Sequence, residues 1–127
     1  MKTTINAVVD AYFAYVVDNV LDVNRPMPVK LAYKISKNIA EIKQAYKKLL
    51  ETRINPIRHK YNWDETVGDG GLVEPESSAY DQEYQNLLTE ETDINIILIS
   101  PEELTFEVTL DEMRVLSIMI DLGELDE

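Results

Sequence analysis

PVKLAYKISKNIAEIKQAYKKLLETR, residues 28–53, is the stretch that decides how this chain folds. Leu31, Ile35, Ile39, Ile42, Tyr46, Leu49 and Leu50 recur at intervals of three and four. With Ile57 they fall inside a stripe about 100° wide on an α-helix. The spacing predicts a helix over 28–54, extending to 61 if the chain bends at Pro56. Pro28 suits its first turn, where a missing N–H costs nothing. Lys30, Lys34, Lys37 and Lys48 line one flank of the stripe, and Lys43, Lys47 and Arg58 line the other. Their aliphatic stems can cover apolar surface while the charged heads stay in water. Arg53 breaks the pattern, because it shares the helical angle of Ile35 on the apolar stripe. An arginine there either pairs with a carboxylate from elsewhere or points into a pocket for an anionic ligand, and the pair is the preferred reading.

Upstream, a helix is predicted over 4–22, capped by Thr3 or Thr4. Ile5, Val8, Val9, Tyr12, Phe13, Val16 and Val20 form its wide apolar face, and Ala7, Ala11 and Ala14 line the other side. Between 5 and 17 its only charge is Asp10. A helix so apolar all round needs cover on two sides, which a chain of 127 residues has little material to supply. That predicts a homo-oligomer with Val9, Tyr12, Phe13, Tyr15 and Val16 at the interface. RPMP, 25–28, separates the two helices.

Downstream, NWDETVGDGGLVEPES, 62–77, reads as a long loop. A helix over 78–91 follows, capped by Ser77 or Ser78, with Tyr80, Tyr84, Leu87 and Leu88 inward. INIILIS, 94–100, reads as a buried strand, and TFEV, 105–108, as a possible second one. SPEE, 100–103, is a one-turn capping sequence, and TLDE, 109–112, is a capping box for a last helix over 110–121. Leu110, Met113, Leu116 and Ile120 face inward there, Gly123 ends the helix, and the tail frays. The fold class is mainly α (α+β) in one domain, 1–127. An antiparallel helical hairpin (1–61) and a loop (62–77) precede two further helices with a one- or two-strand β element (78–127).

Charge is segregated along the chain. Residues 1–60 carry eleven Lys and Arg against five Asp and Glu, whereas 61–127 carry one against nineteen. Either the halves face each other and pair, or the basic half presents a surface to anions. The net charge of −12 and the scarcity of aromatics beside the lysines argue against nucleic acid. A small phosphate-bearing ligand would need several of Lys30, Lys34, Lys37, Arg53 and Arg58 to converge. The acid-rich half also permits mimicry of DNA towards a host protein.

No chemistry announces itself. With no cysteine and one histidine, thiolate zinc sites, disulfides and histidine-rich metal sites are excluded. DETVGDGG, 64–71, fails the ligand spacing of an EF-hand, and its glycines lack the Lys-Ser/Thr of a phosphate-binding loop. His59 has no evident serine or carboxylate partner. The acidic pairs Glu90/Glu91, Glu102/Glu103 and Asp111/Glu112 sit where caps and turns place acids. No cofactor, metal or catalytic residue is assigned. The apolar run 5–17 is too short to span a bilayer and, interrupted by Asp10, makes a poor signal peptide.

Three features together resemble small acidic proteins encoded by phages of low-GC Gram-positive bacteria, a family of unknown function. They are the proline-introduced helix 28–53, the acidic glycine-containing loop, and INIILISPEELTFEVTLDEMRVLSIMI at 94–120. The resemblance implies a phage source, a non-enzymatic role and the cytoplasm of an infected bacterium. Blocking a host defence component, sequestering a small nucleotide-like signal, and serving in the virion or its assembly are the roles it leaves open.

Overall fold

The computed structural model describes residues 2–21, 25–63 and 71–120. The acidic stretch 64–70 and the tail from 121, with Gly123, lie outside the described residues. The order is β1 (Lys2–Thr4), α1 (Ile5–Tyr12), α2 (Val29–Leu49), α3 (Asn55–Lys60), α4 (Glu76–Leu88), β2 (Glu91–Asp93) and α5 (Leu110–Leu116). The class is mainly α with a small antiparallel sheet, as expected. Among the described residues, no helix is long and apolar enough to cross a membrane.

Thr4 caps α1, its hydroxyl accepting from the Ala7 N–H at 3.1 Å. Beyond Tyr12 the helix loosens into a π-helical turn, Phe13–Val17, and then ends. Asn19 follows in the left-handed region (φ 49°), which asparagine tolerates better than most residues. The expected helix over 4–22 therefore stops short, and the chain turns along the bundle instead.

The first helix lies antiparallel to α2. Tyr12 stacks on Tyr46 with centroids 4.0 Å apart. At the start of α1, the Ile5 N–H donates to the Glu90 carbonyl, and the Glu90 side chain holds Arg53. Between them sit Val8, Leu31, Ile35, Ile42 and Ile54, each at most 2% exposed. Fully burying one such side chain is worth about 1.5–3 kcal/mol.

The predicted strand at 94–100 is corrected. The ladder lies just before it, β2 pairing antiparallel with β1 in the register Lys2↔Asp93, Thr3↔Thr92, Thr4↔Glu91. Residues 94–98 belong to no strand, although Ile94 and Ile99 are buried as the apolar run suggested. Part of their backbone, at Asn95 and Ile97, is bonded by side chains of α2. Asn38, fully buried, donates to the Ile97 carbonyl at 2.9 Å and accepts from the Ile97 N–H at 2.7 Å. Glu41 accepts from the Asn95 N–H at 3.3 Å. A side-chain amide thus does what a neighbouring strand would do. TFEV forms no strand either.

Downstream, Pro101–Glu103 makes one 3₁₀ turn. The TLDE capping box forms as read: Thr109 Oγ1 accepts from the Glu112 N–H at 3.0 Å, and Glu112 Oε1 accepts from the Thr109 N–H at 3.1 Å. Glu112 is 5% exposed, and its other oxygen takes Arg25. Arg25 also donates to the Glu107 carbonyl and lies over the Phe106 ring. Leu116, Met119 and Ile120 are buried, but Leu110 is 91% exposed, because the first residue of α5 points away from the core. Ile99 closes onto the same end, its N–H donating to Met119 O at 2.7 Å. Tyr15 is pinned there too. Its hydroxyl donates to the Val115 carbonyl, and burial raises its pKa well above the ordinary phenol range.

Because the buried Asn38 amide makes hydrogen bonds to both the N–H and the C=O of Ile97, Asn38→Ala removes the protein partner of both. The expected loss is about 1–3 kcal/mol, from about 0.5–1.5 kcal/mol for each of the two hydrogen bonds. Denaturant unfolding of the two proteins measures it, and a loss under ~1 kcal/mol would mean that water replaces the amide.

Candidate functional site

The surface that stands out is the outer face of α2. Eleven of its residues are exposed: Val29, Lys30, Ala32, Tyr33, Ser36, Lys37, Ala40, Lys43, Gln44, Lys47 and Lys48. Five are lysines and none is acidic. The cause lies in the heptad-like spacing. Leu31, Ile35, Asn38, Ile42 and Leu49 hold the inner side, so everything about 180° away must face water. From Lys30 to Lys48 the face extends roughly 27 Å at ~1.5 Å per residue.

The five cations proposed as one binding set do not converge. Lys34 is claimed by Glu103 at 2.7 Å, and its side chain keeps only 16% exposure. Arg53 is claimed by Glu90, also at 2.7 Å, the carboxylate partner preferred from the sequence. Arg58 packs its guanidinium 4.0 Å from the Trp63 ring centroid, and its Nε is buried with no hydrogen-bond partner among the described residues. Its charge reaches Tyr46, opposing the rise in pKa that burial gives that phenol. Lys30 and Lys37 remain exposed, Lys37 over the Tyr33 ring at 5.8 Å. Lys37 and Arg53 lie about 24 Å apart along the helix at ~1.5 Å per residue, beyond the reach of one small ligand.

Arg53 is not on the apolar stripe after all. A π-helical turn at Leu50–Ile54, with the Asn55 N–H bonded back to the Leu50 carbonyl, inserts one residue into the helical phase. The stripe passes to Ile54, 1% exposed, and Arg53 swings out to solvent. The same turn carries the helix through Pro56 without a break, since Pro56 falls in the first turn of α3.

The residues expected at an oligomer interface divide. Val9 and Tyr15 are 7% and 5% exposed within the chain itself, so they are core residues here. Tyr12 and Val16 are half-buried, while Phe13 is 43% exposed and packs edge-on against Tyr12 and Tyr46. Within the chain, the Tyr15 hydroxyl meets the Val115 carbonyl of α5, and α4 lies against α1. Beside Phe13 an open cleft of about 490 Å³ lies between the first helix and α5, lined by Asp10, Ala11, Ala14, Asp18 and Arg114 among others. It holds none of the five cations.

At the far end, Lys60 and the Tyr61 hydroxyl both donate to Glu83 of α4. These bonds lower the pKa of Glu83, the Lys60 hydrogen bond most. Among the described residues, no three His, Cys, Asp or Glu side chains gather as a metal site. Sequence reading passed over Asn38 and Glu41 as ordinary polar positions. The signal was there: Asn38 occurs among the inward positions of the apolar repeat, where an amide has to find buried partners.

The register shift makes a paired test. Ile54→Ala is expected to cost about 2–5 kcal/mol, the range for a truncated core aliphatic. Arg53→Ala is expected to cost less than about 1 kcal/mol, because its bridge is half-exposed. An uninterrupted α-helix would reverse that order in thermal or denaturant unfolding. Compared with protein families, curated proteins and solved structures, the chain matches none, so any function has to be argued from its own residues.

Proposed function

We propose that this chain is a non-enzymatic binding protein whose outer α2 face engages an acidic surface on a partner protein. The observation that carries the reading is the acid-free face with Lys30, Lys37, Lys43, Lys47 and Lys48 exposed. The chain holds twice as many acids as bases, 24 against 12, yet none of the exposed residues of α2 is an acid. Its ordered ion pairs draw on other cations: Arg25, Lys34, Arg53, Lys60 and Arg114. Charge so arranged steers association with an oppositely charged surface and suppresses wrong partners. A long helix with exposed Tyr33 and Val29 among its lysines offers apolar contact as well.

A protein surface fits this face better than the alternatives. A small anion needs converging cations, and Lys34 and Arg53 are already paired. Nucleic acid would meet the face but also a chain carrying −12 overall. In the setting implied by the phage resemblance, the partner is a host protein in the cytoplasm of the infected cell, and binding it counters a host defence.

The test is Lys43→Glu with Lys47→Glu in the full chain. Both residues are exposed, so unfolding should shift by less than about 0.5 kcal/mol. The partner is taken by crosslinking and mass spectrometry from the host, purified, and titrated against both proteins. The expected result is at least tenfold weaker binding by the variant, with a steep salt dependence for the native chain. Equal affinity, or a captured partner that is nucleic acid, overturns the reading. A nucleotide bound by the native chain but lost with Lys30→Glu and Lys37→Glu would put sequestration in its place.

A further inference from the structure

Residues 95–98 form an extended segment with one edge bonded and the other open. The bonded edge faces α2 and the C-terminal turn. The N–H groups of Asn95, Ile97 and Ile99 donate to Glu41, Asn38 and Met119, and the Ile97 carbonyl accepts from Asn38. In extended backbone the N–H and C=O of successive residues point to opposite edges. Ile96 and Leu98 therefore present theirs to the other side, and neither N–H makes a hydrogen bond among the described residues. The segment is open to solvent: Ile97 is 39% exposed and Leu98 46%.

We propose that this open edge is a docking site for an extended, basic segment of another protein, added as a strand. Backbone groups two residues apart supply the ladder, and Ile97 and Leu98 supply the apolar contacts of a strand-addition site. Charge selects the sign of the incoming segment. From 81 to 112 the sequence has no lysine or arginine. Glu91 and Asp93 are exposed at one end of the segment and Glu102 beyond the other, with Lys2 opposite Asp93 in the ladder. Of the α2 cations, Lys34 is spent on Glu103 and Lys37 lies on the outer face of the helix. A second copy fits badly. It would bring the same stretch, which has exposed Glu91 and Asp93 and no lysine or arginine from 81 to 112, against itself, and like charges facing each other destabilise a ladder. This site is independent of the lysine face of α2.

The probe is a capped octapeptide of alternating lysine and valine, with a glutamate–valine octapeptide as control. Both are titrated against the full chain while backbone amide exchange is followed by NMR. In the free protein, Ile96 and Leu98 amides should exchange faster than those of Ile97 and Ile99. The lysine–valine peptide should slow Ile96 and Leu98 at least tenfold, and the acidic control should bind at least tenfold more weakly. Leu98→Pro removes one donor and should weaken binding at least tenfold; should that variant fail to fold, the exchange data on the native chain decide alone. Lys43→Glu with Lys47→Glu should not weaken peptide binding, which separates this site from the α2 face. No binding at millimolar peptide, or saturation that leaves both amides unprotected, overturns the proposal. So does a dimer of the native chain that protects the same two amides without peptide.

Discussion

The fold depends on a line of polar contacts that lays the segment 90–103 along α2 in the opposite direction. Arg53 meets Glu90, Glu41 meets the Asn95 amide, Asn38 grips Ile97 at both its N–H and its C=O, and Lys34 meets Glu103. The partners descend α2 as the segment ascends in number. Asn38 is the centre of the line, because it alone is fully buried. Leaving a backbone group unpaired costs more than a bond contributes, so this line of contacts favours one position of the segment against the helix. With the segment placed, Ile94 and Ile99 drop into the core, Ile99 reaches the turn after α5, and the acid-rich half closes over the first helix.

Two π-helical turns, one in each long helix, adjust the fit. In the first helix the turn at Phe13–Val17 comes where the chain must leave α2. In the second, the turn at Leu50–Ile54 moves the apolar stripe by one residue, so that Ile54 packs and Arg53 becomes available to Glu90. Such turns cost some hydrogen-bond geometry, and they persist when packing on both sides repays it. Glu90 supports this reading: its carbonyl receives the first residue of α1 while its carboxylate holds the arginine that the turn turned outward.

The sequence made legible what depends on local period and local caps. The apolar face of α2, the inward Tyr80 and Leu87 of α4 and the TLDE capping box all follow from spacing within a few residues. What it hid depends on partners far along the chain. INIILIS has the composition of a strand, yet no strand lies beside it; an asparagine 59 residues earlier takes the ladder's place. Arg53 was misplaced because an ideal helical phase was carried through a π-helical turn that no single residue type announces. Val9 and Tyr15 seemed surplus to one chain, yet both join a core cluster to which Ile94, Ile99, Val115 and Leu116 come from the second half of the sequence. Of the candidate cations, Lys34 and Arg53 could be read as charged positions, but only the tertiary arrangement decides which charges are spent internally.

That division of charge links fold to function. Folding places the acids of the second half beside part of the basic helix, and each pair removes a cation from the pool that a ligand could meet. The exposed pairs contribute little to stability, since surface bridges are worth about 0–1 kcal/mol. Their larger consequence is geometric. Lys34 and Arg53 are drawn to the flank that faces the extended segment, while Lys30, Lys37, Lys43, Lys47 and Lys48 stay on the outer side, where no exposed residue of α2 is acidic and Glu51 follows one turn beyond Lys47. An acidic protein thereby keeps a local positive face, because at physiological salt the acids lying more than about 8 Å from these lysines are largely screened from them.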